Sequence, residues 1–292
     1  MINFVHRKEL DLDKYNQCIQ TAHNARMYAF SWYLDAVSDY WGVLVQDDYQ
    51  KVMPLPYRKK WAISYTVIPS WVQQLSVYSP DALTLPEITD FIAAIPRQFK
   101  KLNLSISSKI PPNGSGFRTM MNYVIPLNRS YEELAKNYSK GRKSDLKKAR
   151  HSSVEIRSID SAEALVEQFV QLKGTEVKLP KVEYQKLITL CARLKKRTCI
   201  EILEVYDENS ARLGGAIFLI EATRITYLFS VSNSEGRAKN IMSLLIDYMI
   251  MRHANSELLF DFEGSILASL ASFFKSFGAI PEPYYHYQKW RL

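Results

Sequence analysis

The chain of 292 residues has the length of two modest domains, and 47% of its residues are hydrophobic, which suffices for a buried core. With 10 Gly and 12 Pro, a linker-rich or low-complexity chain is excluded. The 38 Lys and Arg against 30 Asp and Glu give a net charge of +8, which favours an anionic partner such as a nucleotide, a phosphorylated carrier or RNA.

Cysteine usage and hydropathy indicate the compartment. Cys18, Cys191 and Cys199 form no C-x-x-C pair, which excludes a disulfide framework and indicates a reducing environment. The histidines lie far apart in the sequence, so no metal is expected. Charges near the N-terminus predict no export signal, and the most apolar run, Ile241–Met251, is interrupted by Asp247. We expect a cytoplasmic protein without a transmembrane segment or an obligate protein partner.

The first half of the chain predicts an α+β arrangement. Apolar periodicity and turn signals predict helices Leu12–Ala22 and Phe30–Val37, strands Trp41–Gln46, Gln50–Pro56 and Trp71–Tyr78, helix Leu85–Ile95, and strands Leu102–Ser107 and Arg118–Ile125. A cluster of Pro and Gly over residues 111–130 then predicts a boundary between an N-terminal domain, 1–128, and a C-terminal domain, 129–292.

The second half begins with a capping box from Ser130 to Glu133 and a helix that is interrupted near Gly141. The elements predicted after it are a resumed helix over Ser144–Arg150, a helix after Asp160 that Gly174 ends, a helix through Leu187–Leu194, strands Cys199–Tyr206, Leu213–Glu221 and Arg224–Val231, a polar loop Ser232–Lys239, helix Asn240–Ala254, strand Leu258–Phe262, helix Leu267–Phe277 and strand Tyr285–Leu292. We expect strands 213–221 and 224–231 to be antiparallel neighbours. Strand 258–262 should run parallel to strand 224–231, with a splay between the two.

Four stretches of this half carry a family resemblance: Arg142–Ala149 (RKSDLKKA), Tyr227–Arg237 (YLFSVSNSEGR), Phe260–Ser265 (FDFEGS) and Phe273–Ala279 (FFKSFGA). In this order they resemble the Fem-type (FemABX-like) transferases of the GNAT acyl-CoA N-acyltransferase superfamily. The resemblance implies two tandem GNAT-like domains, each a mixed, mostly antiparallel sheet flanked by helices. The last strand would complete either sheet.

The resemblance also implies an activity. Fem-type proteins transfer an acyl group, often an amino acid from aminoacyl-tRNA, to an amine of a peptidoglycan precursor, and relatives of the same fold use acyl-CoA. We therefore expect an amide-forming acyltransferase with aminoacyl-tRNA or acetyl-CoA as its acyl donor and without a metal. Two alternatives stay open: an acetyl-CoA-dependent N-acetyltransferase of a small molecule, and a catalytically silent, basic module that binds nucleotides or RNA.

Residues 231–240 form the candidate donor site. A loop that leads into a helix N-terminus presents unpaired amides and a positive dipole to a phosphate. The GNAT pattern Arg/Gln-x-x-Gly-x-Gly/Ala is matched here by Gly236 and Ala238 alone. The candidate cofactor-binding residues are Val231, Gly236, Arg237, Ala238, Lys239 and Asn240. The alternative is an ordinary solvated loop between a strand and a helix.

Lys275, Glu263 and Asp261 are the candidate catalytic residues. Lys275 stands among phenylalanines, where an ammonium group could stabilise the oxyanion formed when an amine attacks an ester or thioester. The alternative is a lysine whose stem covers apolar surface while its ammonium group reaches water. Asp261 and Glu263 would share one face of a strand. We favour Glu263 as general base and Asp261 as a structural residue, although either side chain could cap the next helix or pair with a nearby Arg.

The basic segment 140–150 and a set of aromatic residues complete the candidates. Arg142, Lys143 and Lys147 would bind an anionic, phosphate-bearing substrate such as tRNA, or else form a solvated surface. The aromatic set either lines a substrate groove or belongs to the core and rim of a sheet, and its members are Trp32, Tyr33, Tyr40, Trp41, Tyr57, Trp61 and Trp71.

Overall fold

The structure, a computed structural model, describes residues 1–61, 63–107, 114–264 and 267–291. It divides into an N-terminal unit, Met1–Met120 with Pro283–Leu292, and a C-terminal unit, Met121–Glu282. The division falls inside two strands, whereas the Pro and Gly cluster predicts a boundary at 128/129. Pro111 and Pro112 of that cluster lie outside the described residues. The chain therefore leaves the N-terminal unit and returns to it at its end.

The N-terminal unit is built on a mixed sheet. Its elements are β1 (Ile2–His6), α1 (Leu12–Thr21), α2 (Ser31–Val37), β2 (Tyr40–Gln46), β3 (Lys51–Lys60), β4 (Ile63–Thr66), α3 (Leu85–Ala93), β5 (Phe99–Ile106) and, from residue 283 onward, β12 (Ile280–Trp290). The strand order is β1-β2-β3-β4-β5-β12, in which β4 and β5 are parallel and the other neighbours are antiparallel. Helix α3 buries Ile88 and Phe91 against Leu102 and Leu104 of β5, which forms the core of this unit.

The strand predicted over Trp71–Tyr78 is wrong. Tyr78 forms an isolated antiparallel bridge with Val52, and residues 71–77 lie outside the regular strands. The sheet position beside β3 is taken by β4, which pairs with β3 on one side and with β5 on the other. The alternating aromatic and apolar residues of the segment are buried without strand pairing, so burial produced a strand-like pattern.

The C-terminal unit is also built on strands of mixed orientation. Its elements are β6 (Phe117–Pro126, in this unit from residue 121), α4 (Tyr131–Lys136), α5 (Lys140–His151), β7 (Val154–Ser158), α6 (Glu163–Val177), α7 (Lys181–Lys195), β8 (Ile200–Asp207), β9 (Arg212–Ile220), β10 (Arg224–Ser232), α8 (Ser234–Ala238), α9 (Ile241–Arg252), β11 (Leu259–Asp261) and α10 (Ala268–Lys275). The strand order is β6-β11-β10-β9-β8-β7. Helix α9 packs its buried side chains Ile241, Leu245 and Met249 into the core over this sheet.

The predicted strand pairings of this unit are confirmed. Strand β10 is antiparallel to β9 and parallel to β11, as expected for an α+β fold of this type. The ladder between β10 and β11 covers three pairs, from Arg224↔Leu259 to Thr226↔Asp261. Beyond Thr226, the strand pairs with β9 alone among the described strands. One side of β10 from Tyr227 to Ser232 is therefore left open by its neighbour, which is the predicted splay.

Three local predictions need correction. The helix break falls at residues 137–139 instead of Gly141, because the Ser139 hydroxyl accepts a hydrogen bond from the Arg142 amide and begins α5. Helix α6 continues through Gly174 and ends before Lys178, which has a left-handed φ of 52°. The loop predicted over residues 232–239 contains α8, capped by the Asn233 side chain. Among the described residues, no helix combines the length and apolarity needed to cross a membrane.

Candidate active site

The open side of β10 begins at Tyr227. A β-bulge shifts the register with β9 between Tyr227 and Phe229, directly after the last β11 pair. The phenol of Tyr227 donates a hydrogen bond to Sδ of Met242, 3.5 Å away, in the first turn of α9. Burial raises the pKa of Tyr227 to about 12, so the phenol stays protonated at neutral pH and can donate a proton or a hydrogen bond.

An aromatic row leads from Tyr227 across the end of β11. The ring centroids are 6.5 Å apart between Tyr227 and Phe262, 4.6 Å between Phe262 and Phe274, and 6.3 Å between Phe274 and Tyr123. Phe262 and Phe274 are stacked and buried, so they connect the segment after β11 to α10. The two family motifs, FDFEGS and FFKSFGA, thus meet at this stacked pair. Ser265 of the first motif lies outside the described residues.

Asp261 is a structural residue of this site. It is 2% exposed, and one of its carboxylate oxygens accepts a 2.6 Å hydrogen bond from the Arg224 guanidinium. Arg224 also forms two 3.0 Å hydrogen bonds to Glu282. Burial lowers the pKa of Arg224, but the carboxylates of Asp261 and Glu282 outweigh it, so that the pKa is raised overall. The ion pair therefore joins the first residue of β10 to the last residue of β11.

Glu263 lies in a strained turn directly after β11. Its φ is +57° and that of Gly264 is +63°, so the strand alternation that would place Asp261 and Glu263 on one face ends at Asp261. The Glu263 amide donates a 2.8 Å hydrogen bond to the Asp261 carboxylate. A Cβ at position 264 would stand 2.2 Å from the Met121 carbonyl oxygen, so that glycine is required there. The turn re-aims the Glu263 side chain relative to the strand.

Lys275 ends α10 beside the same row. Its Nζ lies 5.4 Å from the centroid of the Tyr123 ring, and the side chain is exposed. No carboxylate in the described part of the chain lies within ion-pair distance of this ammonium group. A cation on an aromatic face without a carboxylate partner retains its full charge for an approaching anion or a developing oxyanion.

Arg142, a predicted substrate ligand, is buried and holds the helix that carries Lys275. It is 6% exposed, and its guanidinium carbon lies 4.4 and 4.5 Å from the ring centroids of Phe273 and Phe277. Its Nε donates a 3.0 Å hydrogen bond to Ser276. The expectation that Arg142 offers its charge to an anionic substrate is therefore corrected. Arg142 instead contacts the residues on both sides of Lys275: its planar guanidinium stacks on the Phe273 and Phe277 rings, and its Nε binds Ser276.

The remaining charges of the basic segment divide between structure and surface. Arg150 donates a 2.6 Å hydrogen bond to Asp247, the carboxylate that interrupts the apolar run of α9. Lys143 and Lys147 are exposed and lie one helical turn apart, and Lys140 precedes them on the same stripe of α5. Lys143 donates to the carbonyl of Lys136 at 2.9 Å. An exposed stripe of lysines can contact a phosphate backbone, whereas Arg142 is buried and Arg150 is paired with Asp247.

The candidate donor loop uses its own amides. The Gly236 amide donates to the Asn233 side chain at 2.7 Å, and the amides of Arg237, Lys239 and Asn240 donate to carbonyls of the same segment. A Cβ at position 236 would stand 2.7 Å from the Leu213 carbonyl, so this glycine is explained by packing.

The side chains of this loop are also engaged locally. Lys239 pairs with Glu235 at 2.8 Å, and Arg237 donates to the Ser232 carbonyl. Val231 is buried in β10, and Ala238 is exposed at the end of α8. The segment thus differs from an open phosphate loop.

Three site residues were missed by sequence reasoning: Tyr227, Arg224 and Tyr123. Tyr227 stood inside one of the family motifs, and a polar tip on an otherwise apolar strand is the signal that could have found it. The ion pair of Arg224 with Asp261 joins strands 37 positions apart, which no local pattern shows. Among the described residues, no group of three or more His, Cys, Asp or Glu side chains is arranged to hold a metal ion.

Comparison with known proteins agrees with this architecture. No protein-family model matches the chain, and no curated protein sequence matches it. Among solved structures, it is similar to FemX, with a TM-score of 0.68 at 12% identity over 97% of this chain and 96% of that chain.

Two further structures resemble it over most of their length. A conserved protein of unknown function from Bacteroides thetaiotaomicron gives a TM-score of 0.65 at 10% identity, over 99% of this chain and 100% of that chain. L-PGS from Bacillus licheniformis gives a TM-score of 0.56 at 10% identity, over 96% of this chain and 92% of that chain. The chain therefore shares the fold of FemX, and its sequence motifs resemble those of the Fem-type transferases.

Proposed function

We propose that this protein is an acyltransferase that forms an amide from an activated acyl donor and an amine. The observation that carries the proposal is Lys275: an exposed ammonium group on the Tyr123 ring, without a carboxylate partner in the described residues, at the end of the row that starts at the open side of β10. An acyl group lying along that open strand would bring its carbonyl toward this cation. The Fem-like fold supports the same reaction class.

Lys275 acts by stabilising charge. When the amine nitrogen attacks the carbonyl carbon, the carbonyl oxygen becomes an oxyanion, and the ammonium group binds it more strongly than it binds the neutral carbonyl. Arg142 contributes by fixing Phe273, Ser276 and Phe277 around Lys275, so that little reorganisation is needed during the reaction.

Glu263 and Tyr227 carry out the proton transfers, as general base and general acid. Glu263 accepts a proton from the attacking amine as the C–N bond forms. The neutral phenol of Tyr227 donates a proton to the departing oxygen as the C–O bond breaks. Solvent then returns the proton from Glu263 to Tyr227. No covalent intermediate on the protein is required, because the amine is itself the nucleophile.

We propose an aminoacyl ester of tRNA as the donor, in preference to acyl-CoA. The amides of Gly236, Arg237, Lys239 and Asn240 donate within the chain, which leaves them occupied in the loop where a GNAT protein cradles a pyrophosphate. The exposed Lys143 and Lys147 offer contacts to a phosphate backbone instead. The Fem resemblance suggests a peptidoglycan-precursor amine as the acceptor.

A donor panel tests this proposal. Purified protein is incubated with aminoacyl-tRNA or acetyl-CoA and with UDP-linked peptidoglycan peptides or simple primary amines, and products are identified by mass spectrometry. We expect an amide product from the aminoacyl ester that requires Lys275. Efficient transfer from acetyl-CoA would show that the donor is an acyl-CoA and not an aminoacyl ester of tRNA. Tight RNA binding with no product from any donor would instead support the silent binding module.

A further inference from the structure

The N-terminal unit carries an aromatic surface that the catalytic proposal does not use. Trp61, in the turn between β3 and β4, is 93% exposed, and Trp290 near the end of β12 is 72% exposed. Ile63, also exposed, lies between them with Tyr65, and the four side chains line a cleft of about 450 Å³. Indole side chains this exposed are unusual, because tryptophan is highly buried on average.

The backbone at Trp61 adds a second observation. Its φ is +58°, in the left-handed region that favours Gly or Asn in a hairpin turn. A tryptophan there makes the turn less favourable and buries little of its own surface. A strained backbone under an exposed side chain points to a task of that side chain outside the fold.

The charged residues at this cleft are basic, which indicates an anionic partner. Lys60 and Lys101 line the cleft, and the Lys101 Nζ lies 5.1 Å from the centroid of the Trp290 ring. In the sequence, the segments 60–66, 97–107 and 285–291 contain no acidic residue. Their basic residues are Lys60, Arg97, Lys100, Lys101, Lys289 and Arg291. Two of these, Lys60 and Lys101, line the cleft itself.

We propose that this surface, defined by Lys60, Trp61, Ile63, Tyr65, Lys101 and Trp290, docks the protein on an anionic lipid bilayer. Trp and Tyr favour the interface between water and lipid, with lysines reaching the headgroups beside them. Single-stranded nucleic acid also combines basic and aromatic contacts. The exposed Ile63 favours lipid, because an aliphatic side chain offers nothing for base stacking.

Vesicle flotation tests the proposal independently of catalysis. The full-length protein should bind equimolar phosphatidylcholine–phosphatidylglycerol vesicles and should bind pure phosphatidylcholine vesicles far more weakly. Trp61→Ser/Trp290→Ser and Lys60→Gln/Lys101→Gln should each lower the partition coefficient on the order of tenfold or more. Brominated lipids should quench the tryptophan fluorescence of the wild type and lose most of that quenching in the tryptophan double variant.

Matched controls and alternative outcomes decide the interpretation. Leu172→Ser/Val182→Ser and Lys181→Gln/Lys196→Gln remove equivalent exposed apolar groups and charges from the C-terminal unit and should leave vesicle binding unchanged. Far-UV circular dichroism confirms that each variant is folded. The proposal is overturned if the wild type does not bind the anionic vesicles, or if the controls lose binding equally. It is also overturned if the tryptophan variant loses RNA binding or self-association while vesicle binding persists.

Discussion

Both units contain a strand, a helix and a parallel strand in the same order, and they differ in the length of the second strand. In the N-terminal unit, β4, α3 and β5 form this arrangement, and β5 continues to Ile106. In the C-terminal unit, β10, α9 and β11 form it, and β11 ends after three residues at Asp261. The short strand leaves space for the turn at Glu263 and for the helix that carries Lys275. The second arrangement thus leaves one side of β10 without a strand partner from Tyr227 onward.

Lysines on aromatic rings sharpen this comparison. Lys59 lies 5.2 Å from the centroid of the Tyr40 ring in the N-terminal unit, and Lys275 lies 5.4 Å from that of Tyr123. The local contact is nearly the same, so it cannot by itself make a catalytic lysine. Lys275 is distinguished by its position at the end of the aromatic row that starts at the open side of β10.

The largest expected effect is that of Lys275→Met. Because the oxyanion would lose its cation, kcat should fall on the order of 10²–10³-fold, while the apolar stem and the fold are kept. The matched variant Lys59→Met should retain full turnover. Steady-state kinetics of both variants test the prediction, and equal losses in the two would show that Lys275 has no special role.

A second contrast lies within one motif, between Asp261 and Glu263. Asp261→Asn breaks a buried ion pair and should lower the free energy of unfolding by about 3 kcal/mol or more. Glu263→Gln should leave that free energy nearly unchanged and reduce kcat roughly 10²-fold, because the general base is removed. Urea denaturation and kinetics of both variants separate the two roles. A stable, inactive Asp261→Asn protein would reverse the assignment.

The sequence predicts features that are local or periodic and misses those that tertiary contacts decide. Strands β9 and β10 are predictable from alternation and short turns, and Lys275 stands in a recognisable motif. The burial of Arg142 could not be predicted, since its hydrogen-bond partner Ser276 is 134 positions away and arginine is usually exposed. Helix α8 is five residues long and mostly polar, so apolar periodicity does not reveal it, although Asn233 is a good N-cap residue.

The basic helix gives an intermediate effect with two distinguishable outcomes. Lys143→Gln/Lys147→Gln should reduce the salt dependence of tRNA binding, by about one to two units in the log–log slope, without loss of stability. Arg142→Met should lower stability and kcat through the packing around Lys275 and leave the slope unchanged. Filter binding across a salt series, together with thermal melts, provides the measurement. If Arg142→Met also changed the salt slope of tRNA binding, Arg142 would have to contact the RNA directly.

The smallest effects concern backbone conformation. Gly264→Ala and Gly116→Ala both place a Cβ at positive φ, +63° and +97°, close to a carbonyl oxygen, and each should cost about 1–3 kcal/mol of unfolding free energy. Activity should fall beyond the loss of folded protein in Gly264→Ala alone, since that turn aims Glu263. Specific activity per folded molecule measures the difference. Equal specific activities of Gly264→Ala and Gly116→Ala would show that the turn at Gly264 does not contribute to catalysis.

Binding of a transition-state analogue tests the oxyanion claim most directly. A phosphonamidate that mimics the tetrahedral intermediate carries its negative charge where the oxyanion would form. We predict that Lys275→Met raises the Kd for this analogue by the same factor by which it lowers kcat/KM, and leaves the Kd for the intact donor unchanged. Equal affinity of the wild type and Lys275→Met for the phosphonamidate would contradict the account.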